Sequence, residues 1–164
     1  MSRDDLHIRP VADHELDIVA SRAVDAYGEY AARMSPDAWS SFAVDIANVR
    51  GRLVNADILV AERDGEIVGS VTRYPEWRGA QSGAVAVRLL AVPPEERGSG
   101  IGTALMEEII ERAREDGKSR VTFTVTPDMT SAKELCERLG FVREPSLDHM
   151  PAPGVHTQGY SLEL

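Results

Sequence analysis

The chain has 164 residues and a net charge of −9, from 27 Asp and Glu against 18 Lys and Arg, so one domain over residues 1–164 with its own core is expected. That sign is unsuited to a phosphate backbone, which excludes nucleic acid as the main partner and favours cationic small molecules or basic peptides. The single cysteine, Cys136, excludes an intrachain disulfide and any multi-cysteine metal site and fits a reducing compartment; no metal is expected.

Hydrophobic residues make up 43% and charged residues 27%, the mix of an ordinary globular domain rather than a disordered or membrane chain. Met1 to Asp5 is polar, and no run approaches the roughly 20 apolar residues of a membrane-spanning helix. A cytoplasmic protein without a membrane partner is expected.

In chain order, Leu6 to Val11 predicts a short strand, and Asp13 is placed to cap a helix with Leu16, Val19, Ala20, Ala23, Val24 and Tyr27 on one face. Ser35-Pro36-Asp37 supplies a cap, a proline at the first helical position and an acid in the first turn of a second helix, with Trp39, Phe42, Ala43 and Ile46 inward. Ile58 to Arg63 and Glu66 to Tyr74 are β-rich runs around Asp64-Gly65, a pair suited to a two-residue hairpin turn. Glu76 to Gly83, with Gly79, Gln81 and Ser82, predicts a loop before a strand over Ala84 to Val92.

A helix over Gly100 to Asp116 carries Ile101, Ala104, Leu105, Ile109 and Ala113 on one face and ends at Gly117. Val121 to Val125 alternates as a strand, so the strand-helix-strand succession implies a parallel pair with a right-handed crossover. Thr130 to Leu139 predicts a helix stopped by Gly140, ahead of a short strand at Phe141-Val142. Pro145 to Gly154, with three prolines, predicts an irregular loop before a last strand from about His156 to Leu164.

The chemistry is concentrated in Arg97-Gly98-Ser99-Gly100-Ile101-Gly102-Thr103, which stands between a strand and a helix. Amides of a helix's first turn have no intrahelical acceptor and sit at the positive end of its dipole, so they attract phosphate. Glycines at 98, 100 and 102 remove Cβ atoms that would hold an anion off the backbone. A dinucleotide fingerprint would need glycine where Thr103 stands, and a Walker loop fails because Gly117-Lys118-Ser119 lies at a helix end with Arg112 where its first glycine belongs.

Arg97 to Gly102 fits the pattern Q/R-x-x-G-x-G/A, and the segment resembles the acetyl-CoA signature of the GCN5-related N-acetyltransferases (GNAT). Leu89 to Pro93 is similar to the family's strand before the motif and Leu139-Gly140-Phe141 to the turn after its last helix, so the resemblance covers essentially the whole chain. It implies an α/β (α+β) GNAT-like fold with a mixed sheet of about seven strands and about four helices. It also implies acetyl transfer from acetyl-CoA to a small-molecule or peptide primary amine, with a homodimer as the assembly. Amides from Gly98 to Thr103 (Gly98, Ser99, Gly100, Ile101, Gly102, Thr103) would hold the pyrophosphate. Leu90, Ala91 and Val92 would pair with the pantetheine arm, and an amide near Val92 would polarise the thioester carbonyl. Arg97 either reaches a phosphate or stays solvated beside the turn.

Several residues depart from the family pattern. Cys136 stands where a tyrosine often protonates the departing thiolate; it is either a thiol donor or a small core residue on the apolar helix face. Met129 replaces a common asparagine. The strand before the motif carries Arg88 and no carboxylate, which leaves Glu76, His149 or water as the general base. The resemblance places the acceptor around Tyr27, Tyr30, Met34 and Trp39, residues whose other reading is packing. These departures leave open a non-catalytic acyl-CoA-binding protein, and further off a structural module whose glycines only turn the chain.

Overall fold

The computed structural model describes residues 5–76 and 83–164, so the residues expected as a loop around Gly79, Gln81 and Ser82 lie outside those described. The elements in chain order are β1 His7–Pro10, α1 Leu16–Tyr27, α2 Pro36–Ala47, the single turn α3 Val49–Arg52, β2 Asp57–Arg63, β3 Glu66–Tyr74 and β4 Ala84–Ala91. There follow α4 Ile101–Glu115, β5 Arg120–Val125, α5 Thr130–Arg138, β6 Val142–Arg143, β7 His149–Ala152 and β8 Val155–Glu163, with short 3-10 turns between several of them. The strands form one mixed sheet in the order β1-β2-β3-β4-β5-β8-β6, with β7 on β8; β4 and β5 are the parallel pair.

Local chemistry accounts for the boundaries. Ser35 Oγ accepts the Ala38 amide at 3.1 Å and Pro36 opens α2. Asp64 and Gly65, at φ 51° and 80°, turn β2 into β3 with Arg63 opposite Glu66. Asp13 does not cap α1: it opens a 3-10 turn, and the Ala12 amide is taken instead by Glu15, whose carboxylate Arg9 also grips at 2.7 Å. Gly117, at φ 72°, ends α4 and lets the Lys118 amide return to Ala113 O at 2.9 Å.

Two elements exceed the expected seven strands and four helices. The turn α3 forms because the Asn48 side chain accepts the Gly51 amide. The strand β7 forms inside the proline-rich segment expected to be irregular. Arg143 grips Asp148 through two bonds of 2.6 Å, and Asp148 in turn accepts the Gly159 amide of β8. That tie leaves β7 at an edge, paired only with β8, where the missing N–H of Pro151 is harmless.

The sheet is covered on both faces. One face carries Ile58, Val60 and Ile67 against Leu16, Val19 and Val49 of α1 and α3. The other carries Leu59, Ala61, Val71, Val85, Val87, Val121 and Phe123 beneath Ile101, Leu105, Ile109 and Ala113 of α4 and Leu135 and Cys136 of α5. Burying so much branched apolar surface on both sides fixes strand register, since a one-residue slip would turn each strand inside out.

Gly69 lets α4 sit close to the sheet; a Cβ there would stand 2.7 Å from Ile101 Cγ2. One irregularity shapes the site. Leu89 adopts φ 56°, and the β3–β4 register skips from Thr72↔Arg88 to Ser70↔Ala91, which is a β-bulge. Pairing of β4 with β5 stops at Val87↔Phe123, although β4 runs on to Ala91 and β5 to Val125. The parallel strands part at the bulge.

Candidate active site

A cleft of about 460 Å³ opens where β4 and β5 part, walled by Leu90 and Val92, the turn from Glu96 to Gly100, the first turn of α4, and Met129, Ala132, Leu135 and Arg138 of the α5 side. Gly98 and Gly100 take φ 85° and 83°, and Gly100 is the N-cap of α4 without a side-chain cap. The first intrahelical bond runs from the Ala104 amide to Gly100 O at 2.9 Å, so the amides of Ile101, Gly102 and Thr103 have no acceptor within the helix. Three N–H groups at the positive end of a 15-residue helix, beside an open cleft, are placed where they can hold an anion.

The motif residues divide by role. Ile101 is 1% exposed, so its side chain belongs to the core and only its backbone serves the cleft. Ser99 Oγ turns back to Glu96 O at 2.7 Å. A Cβ on Gly98 would meet nothing within 4 Å, so glycine there serves the positive φ; on Gly102 it would make only ordinary contacts, 3.4 Å from Leu135 Cδ2 and 3.6 Å from Leu90 Cδ2, beside the cleft. Thr103 Oγ1 accepts Arg138 Nη2 at 3.2 Å.

Arg97 takes neither expected role outright. Its Nε donates to Val92 O at 3.2 Å and its Nη2 to Ala26 O at 3.3 Å, and it pairs with Glu29. Arg97 is a strut that ties the turn to the end of β4 and the end of α1. Arg63, 3% exposed, supports the same turn by donating to Glu96 Oε2 at 3.3 Å, which offsets a carboxylate beside an anion site. Arg63 and Arg138 escaped sequence reading because nothing local marks them, whereas Met129, singled out there in place of an asparagine, does line the cleft.

The residues expected at the acceptor side scatter. Tyr27 is 3% exposed, stacks edge-on against Phe42 and donates its hydroxyl to Leu90 O at 3.0 Å, so it is a core residue that holds β4 and not an exposed acceptor contact. Burial pushes its hydroxyl well above the ordinary tyrosine range. Tyr30 lines the cleft, its hydroxyl pushed up by desolvation. Trp39 and Met34 are half-buried against the main core.

Cys136 is 1% exposed, absent from the cleft wall, and pushed up to about 12, first by burial and then by the Glu137 carboxylate. A thiol that weakly acidic is a poor proton donor to a thiolate of ordinary basicity near 8.5. Its position is that of a core residue, and the proton-donor reading falls. Glu76 is exposed just beyond β3. His149 lies on β7 with Nδ1 at 3.1 Å from Thr157 Oγ1 and 3.2 Å from Leu147 O. Neither lines the cleft.

The chain is similar to known proteins. The chain is 40% identical over 70 residues to an L-2,4-diaminobutyric acid acetyltransferase of Nocardia farcinica, a match covering 43% of this chain and 35% of that one. It is 28% identical over 110 residues to an L-methionine sulfoximine/L-methionine sulfone acetyltransferase of Pseudomonas paraeruginosa, covering 63% of each. The chain thus spans about a third and under two thirds of the length of these relatives. The PaiA N-acetyltransferase of Thermoplasma acidophilum, solved in complex with coenzyme A, superposes with TM-score 0.74 at 15% identity over 94% of this chain and 97% of its own, which shows a shared fold. Residues 22–141, from within α1 to just past α5, match the Acetyltransferase (GNAT) family, to which this chain belongs.

Proposed function

We propose that the protein moves an acetyl group from acetyl-CoA to a primary amine of a small molecule or peptide by direct attack. The observation that carries this reading is the set of unpaired first-turn amides of α4 beside a cleft open to the end of β4. The amides of Gly98 to Thr103 hold the pyrophosphate, and the pantetheine arm runs along Leu90, Ala91 and Val92, bringing the thioester to the parted strands. Family membership and the coenzyme A complex of the Thermoplasma protein support the cofactor.

The amine nitrogen bonds to the acetyl carbon, the C–S bond breaks with its electron pair on sulfur, and the ammonium proton passes to water. No thiol donor is needed, because a thiolate of basicity near 8.5 leaves without prior protonation and can take its proton from water after departure. Holding the amine against the carbonyl supplies most of the acceleration. The protein acts in the cytoplasm in this proposal, and among its described residues no helix is long and apolar enough to cross a membrane. A homodimer is proposed on family resemblance alone, and sedimentation velocity tests it.

The burial of Cys136 favours one second reading, acyl-CoA binding without turnover. The experiment that decides is a thermal unfolding series with acetyl-CoA, CoA, NADH and ATP, followed by thiol release with an amine panel. A ligand at a hundred times its Kd adds about 2.7 kcal/mol, or several degrees here. Stabilisation by the CoA species alone, abolished in Gly100→Glu, with amine-dependent thiol release, is the expected result. Stabilisation without release leaves the binding protein; no CoA response sinks both.

A further inference from the structure

The parted strands give the thioester two sides. The cofactor cleft lies on the α4 and α5 side, so an acceptor meeting the carbonyl near Leu90 approaches across the α1–α3 side. The first residues beyond the last parallel pair, Val87↔Phe123, are Arg88 and Thr124. Arg88 belongs to the α1–α3 face: it lies opposite Thr72, which accepts from Arg52 of α3 at 3.2 Å, and its Nη2 donates to Asp45 Oδ2 of α2 at 2.8 Å.

This stretch of sheet is polar where the opposite face is apolar. Thr72, Thr122 and Ser161 are 1%, 4% and 4% exposed, while Val87 and Phe123 behind them are each 1% exposed. Two guanidiniums, Arg52 and Arg88, face the single carboxylate of Asp45, so these three side chains sum to one positive charge inside a chain of net −9. Arg52 is spent on Thr72 and on the Asp45 and Ile46 carbonyls. The fork of Arg88 has five donors, of which, among the described residues, Asp45 and Tyr74 engage only part. Beyond Thr124, the Thr126 hydroxyl is 4% exposed residue-wide and has no partner among the described residues. A surplus cation at the strand opening is costly unless a ligand completes it.

We propose that the acceptor is an amino-carboxylate, an α-amino acid being the simplest, and that Arg88 binds its carboxylate while its amine faces the thioester. The assignment rests on the acetyltransferase reading above. Planar guanidinium matches carboxylate through two parallel bonds, so Arg88 selects the acid and fixes where the amine points. Asp45 holds the fork in place and also competes for it.

The test uses matched acceptors that differ by the carboxylate: L-tryptophan against tryptamine, L-histidine against histamine, L-lysine against cadaverine. A charge-assisted contact predicts kcat/KM about 10- to 100-fold higher for the acid of at least one pair. Arg88→Gln brings that ratio close to one, chiefly through KM, and Arg88→Lys gives an intermediate ratio. The CoA-induced thermal shift serves as the folding control for each variant. Amines used as well as their acids, or a preference that survives Arg88→Gln, overturn the proposal. So does the absence of turnover and of calorimetric binding for every acid on CoA-loaded protein; a persisting CoA shift would then leave the cofactor reading standing.

Discussion

Replacing Gly69 by alanine tests how closely α4 is seated on the sheet. The new Cβ would stand 2.7 Å from Ile101 Cγ2, 3.2 Å from Leu105 Cδ1 and 3.4 Å from Ala91 O. The first contact lies well inside the ordinary carbon separation of about 3.5–4.0 Å, and the methyl it strikes hangs on a buried, branched carbon that cannot swing aside. Overpacking of this kind costs about 1–3 kcal/mol. For a domain of this size that lowers Tm by roughly 2–12 °C. Ile101→Ala removes the struck methyl at a cavity cost of about 2–5 kcal/mol. In the double variant the alanine methyl fills part of that cavity, so the loss falls short of the sum by about 1 kcal/mol or more. Urea unfolding of the four proteins closes the cycle. Because Ile101 opens the anion-binding turn, Gly69→Ala should also raise the Kd for CoA, with partial recovery in the double variant. An unshifted midpoint in the single variant, or additivity within about 0.5 kcal/mol, refutes the close seating.

Arg138→Gln should raise the Kd for CoA about 3- to 10-fold at low salt, with the gap narrowing as salt screens an exposed contact; a titration showing equal Kd values would remove Arg138 from the cleft's function. Glu15 is pulled down from 4.5 to about 2, chiefly by its hydrogen bonds from Arg9. The unfolded carboxyl therefore takes up its proton first, so the stabilisation is complete above about pH 4.5 and fades as pH falls toward 2. The stability gap between the protein and Glu15→Gln should shrink across that window, and a gap independent of pH would contradict it. The Cys136 thiol, pushed up to about 12, should resist aromatic disulfide reagents in the folded protein at neutral pH, and Cys136→Ala should retain acetyl transfer to within about threefold while losing about 1 kcal/mol. A loss beyond a hundredfold at unchanged stability would restore the thiol as proton donor.

What the sequence disclosed was whatever backbone chemistry decides within a few residues. Asp64-Gly65 requires positive φ, Ser35-Pro36 caps and opens a helix, and Gly98 to Gly102 turns a strand into a helix start; each appears where expected. The Leu89 bulge was hidden because leucine is not a residue that advertises positive φ. Three prolines masked β7, whose pairing depends on the distant Arg143–Asp148–Gly159 link. Arg97 was legible as a motif residue but not as a strut, since Ala26 lies 71 positions away. Charged partners far apart in the chain, such as Arg63 with Glu96 and Arg88 with Asp45, leave no periodic trace.

The bulge at Leu89 also gives β4 two reading frames. In an unbroken strand, residues two apart share a face. The extra residue cancels that rule between Arg88 and Leu90: the first reaches Asp45 on α2, and the second lines the cleft beneath α4 and α5. Residues two apart on one strand therefore address opposite sides of the sheet. Any insertion or deletion between 88 and 90 would be a frameshift in space, exchanging inward and outward side chains downstream while leaving the glycine motif untouched.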